Sequence, residues 1–191
     1  MKGFSRQLRL ILASALALGL VACGGSVVTN VSVGGTIAGY SSSALKLSNG
    51  YSAVVIPAGA TSFVFPTRVS VGLSYNVSVL EQPPGMTCLV TNGAGIAIST
   101  DITNVAVTCA TNNNLGGTVT GLTSSGLTLA NGSSTLNITA NGSFVFANKV
   151  MDGSTYGVTV LNQPKPQTCS VLNGAGKMTP VDVTSVIVTC N

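Results

Sequence analysis

Hydrophobic and polar residues alternate with a period of two over several short stretches of the chain. In YNVSV (residues 75–79) and YGVTV (residues 156–160), tyrosine and valine occupy every second position, with small or polar residues between them. The same alternation occurs at residues 105–109 and 186–190. Because successive side chains of a strand point to opposite faces, this period predicts half-buried β-strands.

Asn-Gly pairs between the alternating stretches predict tight turns. Asn49-Gly50, Asn131-Gly132 and Asn141-Gly142 each follow an apolar alternation, and both residue types adopt a positive φ at little cost. In LNITANGSFVF (residues 136–146) the third pair is flanked by apolar alternation on both sides. The pattern there predicts a hairpin with its turn at the Asn-Gly pair.

Two copies of one sequence unit make up most of the chain. GGTIAGYSSSALKLSNG (residues 34–50) matches GGTVTGLTSSGLTLANG (residues 116–132) at an offset of 82, and from Phe63 onward the offset is 81. With about seven or eight short strands and a turn signal about every ten residues, each copy is expected to be an all-β, Ig-like β-sandwich. The expected divisions are a tether at 23–33, a first domain at 34–110, a linker at 111–115 and a second domain at 116–191.

The two copies differ most in one loop. The first copy has IPAGA (residues 56–60) where the second has the turn at Asn141-Gly142. If the two domains differ in specificity, we expect the difference to lie in this loop.

Four cysteines occur as two pairs with the same spacing. Cys88 and Cys109 are 21 residues apart, and so are Cys169 and Cys190. An even number of cysteines in an exported protein indicates disulfides, and four cysteines allow three connectivities. A duplicated unit must have been complete on its own, which favours one disulfide inside each copy.

Residues 1–22 have the composition of a secretory signal peptide. Lys2, Arg6 and Arg9 precede an apolar stretch of thirteen residues, 10–22, whereas a membrane-spanning helix needs about 20. A basic head followed by a short apolar body is typical of a signal that is cleaved.

The signal ends in LVAC (residues 20–23), which resembles the lipobox of bacterial lipoproteins. That resemblance implies that Cys23 becomes the acylated N-terminus of the mature protein, and an anchor with two or more acyl chains is stable. Gly24, rather than Asp, follows the cysteine, which by resemblance to Gram-negative sorting rules implies the outer membrane. The alternative is an ordinary cleaved signal with a chance cysteine.

Most of the net charge of +4 comes from the signal peptide. After residue 22 the chain carries five basic and four acidic residues, and no basic cluster is interleaved with aromatics. A nucleic-acid partner is therefore not expected. The charged residues are Lys46, Arg68, Lys149, Lys165 and Lys177, and Glu81, Asp101, Asp152 and Asp182.

The sequence offers no catalytic residue, metal site or cofactor site. Asp101 and Asp182 are the only acids shared by both copies, and each is expected to cap a turn through its own backbone. Paired-carboxylate catalysis needs two acids in one site, whereas these lie in separate copies. The chain has no histidine, so a serine nucleophile lacks the usual base and a metal lacks a common ligand.

Two further features have structural explanations. GAGK (residues 174–177) resembles a phosphate-binding loop only briefly, because Val171 and Met178 stand where the motif needs Gly and Ser or Thr. NGAG is instead predicted to be a turn. Tyr75 and Tyr156 occupy equivalent positions and are expected to be core anchors.

The complete pattern resembles a repeat of Gram-negative envelope lipoproteins. The matching residues read GGTVxGL, ANGSFxF, GxxYxVxVLxQP, QTC and VTxVxVTC, and they cover nearly the whole chain after the tether. The first half of this repeat also resembles transthyretin-like or Cna-B-like β-sandwiches, whose members serve as stalks and adhesive modules. The family supplies no functional residue that could be transferred.

Two classes of function follow from the sequence. The first is a membrane-anchored, non-catalytic structural or adhesive surface module with an unidentified protein or glycan ligand. The alternative is a periplasm-facing accessory lipoprotein that binds a partner of an envelope assembly by strand pairing. Polar, blunted edge strands would favour the first class, and exposed hydrophobic edge strands would favour the second.

Overall fold

A computed structural model describes residues 29–191, which form twenty β-strands and no helix. The prediction of an all-β fold is confirmed. The first half contains β1 (Asn30–Val31), β2 (Val33–Ala38), β3 (Leu45–Ser48), β4 (Ala53–Ile56), β5 (Ser62–Val64), β6 (Val69–Ser70), β7 (Ser74–Asn76), β8 (Ser78–Glu81), β9 (Met86–Thr91), β10 (Ala94–Ile96) and β11 (Ile102–Asn113). The second half contains β12 (Leu115–Thr120), β13 (Leu127–Asn131), β14 (Ser134–Ile138), β15 (Gly142–Val145), β16 (Val150–Met151), β17 (Thr155–Asn162), β18 (Cys169–Leu172), β19 (Ala175–Lys177) and β20 (Val183–Cys190).

The two halves have the same strand order. In the first half, β5, β2, β11 and β9 form one sheet in that order, while β4-β3-β8 and β10-β7 form the opposing layer. In the second half, the sheets are β15-β12-β20-β18 and β14-β13-β17-β19. The single strand β17 corresponds to β7 and β8 together, and the resulting fold is sandwich-like.

Each half contains its own hydrophobic core. Alternate residues of the strands point between the sheets, as the period of two predicted, and the largest fully buried side chains include Phe146, Leu47 and Leu129. An edge-to-face aromatic pair lies in each core, Phe63 with Phe65 and Phe144 with Phe146. The first cluster extends from Val31 to Cys109 and the second from Leu115 to Cys190.

The first and last long strands of each half pair in parallel, and a glycine permits their close approach. β2 pairs with β11, and β12 pairs with β20. A Cβ added at Gly35 would lie 1.8 Å from the carbonyl oxygen of Val105, and one at Gly117 would lie 1.8 Å from that of Val186. Only glycine fits such a contact, which explains the Gly-Gly pair at the start of each sequence unit.

The structural unit begins earlier than the sequence comparison indicated. β1 pairs with β6, and at the equivalent place in the second half the end of β11, Asn112–Asn113, pairs with β16. Asn30, Val31 and Val33 of the predicted tether thus lie in strands, and both valines are buried. Residues 111–113 of the predicted linker likewise continue β11.

Two of the three predicted hairpins form, and the third prediction is wrong. β3 and β4 are joined at Asn49-Gly50, and β13 and β14 at Gly132. By contrast, β14 pairs with β13 and β15 pairs with β12, so Asn141-Gly142 carries the chain from one sheet to the other. The Asn141 side chain fixes this crossover by bonding both the N–H and the C=O of Leu122, at 2.7 and 2.8 Å.

Within residues 29–191, no helix is long and apolar enough to cross a membrane. The predicted signal peptide and the predicted lipidation site, Cys23, lie outside the described residues.

Candidate functional site

Both predicted disulfides are present, one in each half. Cys88 is bonded to Cys109, and Cys169 to Cys190. In each pair the cysteines stand directly opposite each other on antiparallel strands, with Cα atoms 4.0 and 3.9 Å apart. So short a separation is typical of a non-hydrogen-bonded pair, in which the backbone groups of Cys88 and Cys169 point away from the partner strand.

A glutamine side chain caps those outward backbone groups in each half. Gln82 Nε2 donates to the Cys88 carbonyl at 3.0 Å, and the Cys88 N–H donates to Gln82 Oε1 at 2.8 Å. Gln163 makes the same pair of bonds to Cys169. Sequence reasoning missed this cap, although the glutamine stands six residues before the cysteine in both copies.

The shared aspartates bind across the sheet, so the prediction that they cap local turns through their own backbone is wrong. The Ser32 N–H donates to Asp101 at 2.7 Å, and the Asn114 N–H donates to Asp182 at the same distance. The Asn114 side-chain amide also donates to Asp182 at 2.8 Å. Each aspartate lies just before the last strand of its half. It accepts a hydrogen bond from the residue just before the first long strand of the same half.

The hydrogen bonds to Asp182 also change its acidity. The bonds from the backbone and side chain of Asn114 lower the pKa of this carboxyl group, and the charge of Lys149 acts in the same direction. Asp182 is therefore a structural carboxylate that is ionised at neutral pH. A carboxyl group that acts as a general acid needs a raised pKa, whereas the pKa of Asp182 is lowered.

Tyr75 and Tyr156 pack against the cores, in agreement with their predicted role. Tyr75 is buried in the first core and Tyr156 packs against the second. Each ring lies over a glycine of the NGAG motif, since a Cβ added at Gly95 or Gly176 would lie 2.8 Å from the tyrosine hydroxyl oxygen.

The NGAG segment turns the chain from one sheet to the other. Asn92 and Asn173 have positive φ angles of 55° and 56°, a conformation that asparagine tolerates better than most residues. Their side chains donate to the carbonyl oxygens of Asn104 and Ser185. In the second half the motif continues into β19, which pairs with β17, so the last three residues of GAGK form a strand.

The other ionisable groups are dispersed over the surface. Lys46 and Glu81 form a cross-strand ion pair at 3.2 Å, and Arg68 donates to the Asn30 carbonyl at 3.3 Å. Among residues 29–191, no three His, Cys, Asp or Glu side chains are close enough to hold a metal ion.

The cavities of residues 29–191 are shallow and open. One of about 270 Å³ is lined by residues 136–145 at the crossover of the second half. Another of about 380 Å³ lies beside β5, where Phe63 and Val64 line it together with Gly34 and Gly35. The predicted specificity loop at 56–60 connects β4 to β5 and is the counterpart of that crossover, with five residues (57–61) between the strands instead of three (139–141).

The outer surface of the disulfide-bearing sheets is the candidate functional surface. In both halves the outward residues form cross-strand rows of uncharged and mostly small side chains, and we call these surfaces the threonine faces. In the first half the rows are Ser62–Thr36–Ala106–Thr91 and Ala38–Thr108–Leu89. In the second half they are Ser143–Thr118–Ile187–Leu172 and Thr120–Thr189–Ser170.

The two threonine faces differ at their centre. Ile187 and Leu172 stand directly opposite each other and are 40% and 63% exposed, whereas Ala106 and Thr91 occupy the equivalent positions in the first half. The second face therefore carries an apolar pair within a polar surface.

No protein family matches this chain, and no curated protein matches it.

Proposed function

We propose that this chain is a membrane-anchored envelope lipoprotein whose tandem β-sandwich domains act as a non-catalytic structural or adhesive module at the cell surface. The lipid anchor would be carried by Cys23, and the two domains would follow it as successive rigid units. The partner would be a protein or glycan that contacts the threonine faces.

Three observations support the tandem Ig-like or transthyretin-like organisation. The halves have separate cores, the same order of strands and one internal disulfide each. In each half the first and last long strands pair in parallel. The role of β1 passes to the end of β11 in the second unit, so the units join end to end.

The composition of the threonine faces is the observation that carries the functional proposal. Charged residues are absent from every row of the two faces, and threonine, serine and alanine predominate. A flat surface of hydroxyl groups and small apolar groups suits hydrogen bonding and close packing against an extended partner.

The edge strands favour a surface module over a protein that binds its partner by strand pairing. The edge strands β5, β9, β15 and β18 contain three to six residues, and glutamine side chains occupy the outward backbone groups of Cys88 and Cys169. Short or blocked edges resist pairing with another chain.

Exposed apolar side chains on the edge strands, among them Val64, Val145 and Leu172, favour the alternative of a periplasm-facing accessory protein. Val64 is 62% exposed on the edge strand β5, beside the cavity of about 380 Å³. A partner strand could add to β5 there. This alternative keeps the same fold and anchor but places the protein on the other side of the outer membrane.

Protease treatment of intact cells, beside cells with a permeabilised outer membrane, tests the proposal. A protease of broad specificity is needed, because only five lysines and arginines follow residue 22 and Lys165 precedes Pro166. We expect peptides from residues 34–191 to be released from intact cells. Release only after permeabilisation would contradict surface display and support the accessory role.

The variant Cys23→Ser is the matched control for the anchor. We expect it to abolish incorporation of labelled fatty acid and to release the protein from the membrane fraction. Incorporation that is unchanged in this variant would refute the proposed lipidation site.

A further inference from the structure

Four exposed apolar side chains lie at the end of the first half where the chain enters. Val71, Leu73, Ile96 and Ile98 are 41%, 47%, 64% and 61% exposed. We call this end, defined by residues 71–73 and 96–98, the entry pole.

These residues form one patch, because the two segments lie side by side. The Gly72 N–H donates to the Ala97 carbonyl, and the Ala97 N–H donates to the Leu73 carbonyl, both at 2.8 Å. Ile96 stands opposite Ser74 in the same ladder.

The equivalent end of the second half is polar. At the positions that match the four apolar residues, the second copy has Asp152, Ser154, Lys177 and Thr179. This is a change of chemistry at every position of the patch, within a fold that is otherwise the same.

The end of β11 lies against the polar end of the second half. The Asp152 N–H donates to the Thr111 carbonyl at 2.8 Å, and the Asn113 side chain donates to the Thr179 carbonyl at 2.8 Å. The polar pole of the second half thus lies where the chain continues from the first half. The apolar pole of the first half is preceded instead by the segment that carries Cys23.

The length of that segment limits what can cover the entry pole. The Val71 N–H donates to the carbonyl of Thr29 at 2.9 Å, so the chain enters against the patch itself. Cys23 is six residues before Thr29, a distance of at most about 20 Å for a fully extended chain. A lipid on Cys23 would hold the patch within that distance of the bilayer.

The charges near the entry pole are compatible with a phospholipid surface. Arg68 is held beside β1 by its bond to Asn30 and can meet a phosphate group. The carboxylate of Asp101 accepts the Ser32 N–H, which partly satisfies the negative group nearest the patch.

We propose that the entry pole inserts Val71, Leu73, Ile96 and Ile98 into the interfacial region of the phospholipid bilayer that holds the lipid of Cys23. This inference rests on the proposed lipid anchor. Docking of the pole fixes the first domain upright on the membrane, and the second domain then projects away from it. A short tether alone would leave the orientation free.

Single tryptophans can report the contact, because the natural chain contains none. The experiment uses the mature lipidated protein in vesicles of phosphatidylethanolamine and phosphatidylglycerol, with and without lipids brominated on the acyl chains. Ile96→Trp places the reporter in the patch, and Lys177→Trp places it at the equivalent position of the second half. Circular dichroism checks that both variants are folded, and Ile98→Trp replaces the first reporter if Ile96→Trp is not.

We expect brominated lipid to quench Ile96→Trp at least several-fold more than Lys177→Trp, with a blue-shifted emission for the first only. Equal, weak quenching of the two reporters on protein that floats with the vesicles would overturn the docking and leave the anchor intact. A blue-shifted but unquenched Ile96→Trp would show that another protein molecule covers the pole, which also overturns it. Protein that does not float with the vesicles would refute the anchor and the docking together.

Discussion

Removal of the second disulfide should destabilise one half of the protein and leave the other half folded. The perturbation is the double replacement of Cys169 and Cys190 by alanine. The bond closes a loop with a sequence separation of 21, and the loss of that constraint on the unfolded chain is worth about 3 kcal/mol. Both cysteines are buried, so deletion of the two sulfur atoms adds about 1 kcal/mol each.

The expected total of about 5 kcal/mol is comparable with the whole stability of a small domain. The effect should begin in β18, an edge strand that has only four cross-strand pairs with β20. We therefore expect β18 to fray and the second half to unfold at a lower urea concentration, while the core that contains Val31 and Val107 remains protected.

Hydrogen exchange measured by mass spectrometry, together with urea denaturation under non-reducing conditions, tests this. Amides of residues 169–172 should lose protection and those of residues 86–91 should keep it. The matched variant, with Cys88 and Cys109 replaced by alanine, should show the opposite distribution. An unchanged urea midpoint, or equal loss of protection in both halves, would refute the reasoning.

Three other substitutions test individual contacts. Gly117→Ala should lower stability by about 3 kcal/mol, seen as a melting temperature lower by about 10 °C or more, because its Cβ would lie 1.8 Å from the Val186 carbonyl oxygen. Gln163→Ala should cost about 1 kcal/mol and speed exchange of the Cys169 amide, which donates to Gln163 at 2.7 Å. Asp182→Asn should lower the free energy of unfolding at pH 7. It should also make that free energy decrease less as the pH is lowered. Because the folded protein holds the pKa of Asp182 below its ordinary value, the carboxylate stabilises the fold at pH values above the ordinary pKa, and this contribution is lost as the pH falls through the folded pKa.

For each of these predictions, a specific result would contradict the reasoning. A Gly117→Ala protein with the natural melting temperature would show that the two strands separate at little cost. Unchanged exchange at Cys169 would show that water replaces the glutamine cap. For Asp182, the control is Asp152→Asn, whose carboxylate makes no hydrogen bond within residues 29–191, and equal pH profiles for both variants would refute the role of the Asn114 contacts.

The sequence predicted the strands better than their partners. A period of two shows which side chains share a face, and the buried positions at Tyr75 and Val77 follow from it. It does not show which strand lies alongside, so Asn141-Gly142 has the composition of a hairpin turn and yet connects two sheets. The disulfides were predictable because duplication added a constraint that spacing alone does not supply.

Contacts between distant parts of the chain could not be predicted from local pattern. Asp101 looked like a local turn cap, and its actual partner, Ser32, lies 69 residues away. The only sequence signal for the Gln82 cap is that a glutamine stands six residues before the cysteine in both copies. The entry pole became visible once the structure placed Leu73 beside Ile96, because the two lie far apart in sequence.

The N-terminus of the mature protein, measured by mass spectrometry of the protein extracted from membranes, tests the central claim most directly. The account predicts a first residue at Cys23 that carries a diacylglyceryl group and an amide-linked acyl chain. An unmodified Cys23, or a mature protein that begins at another residue, would contradict it.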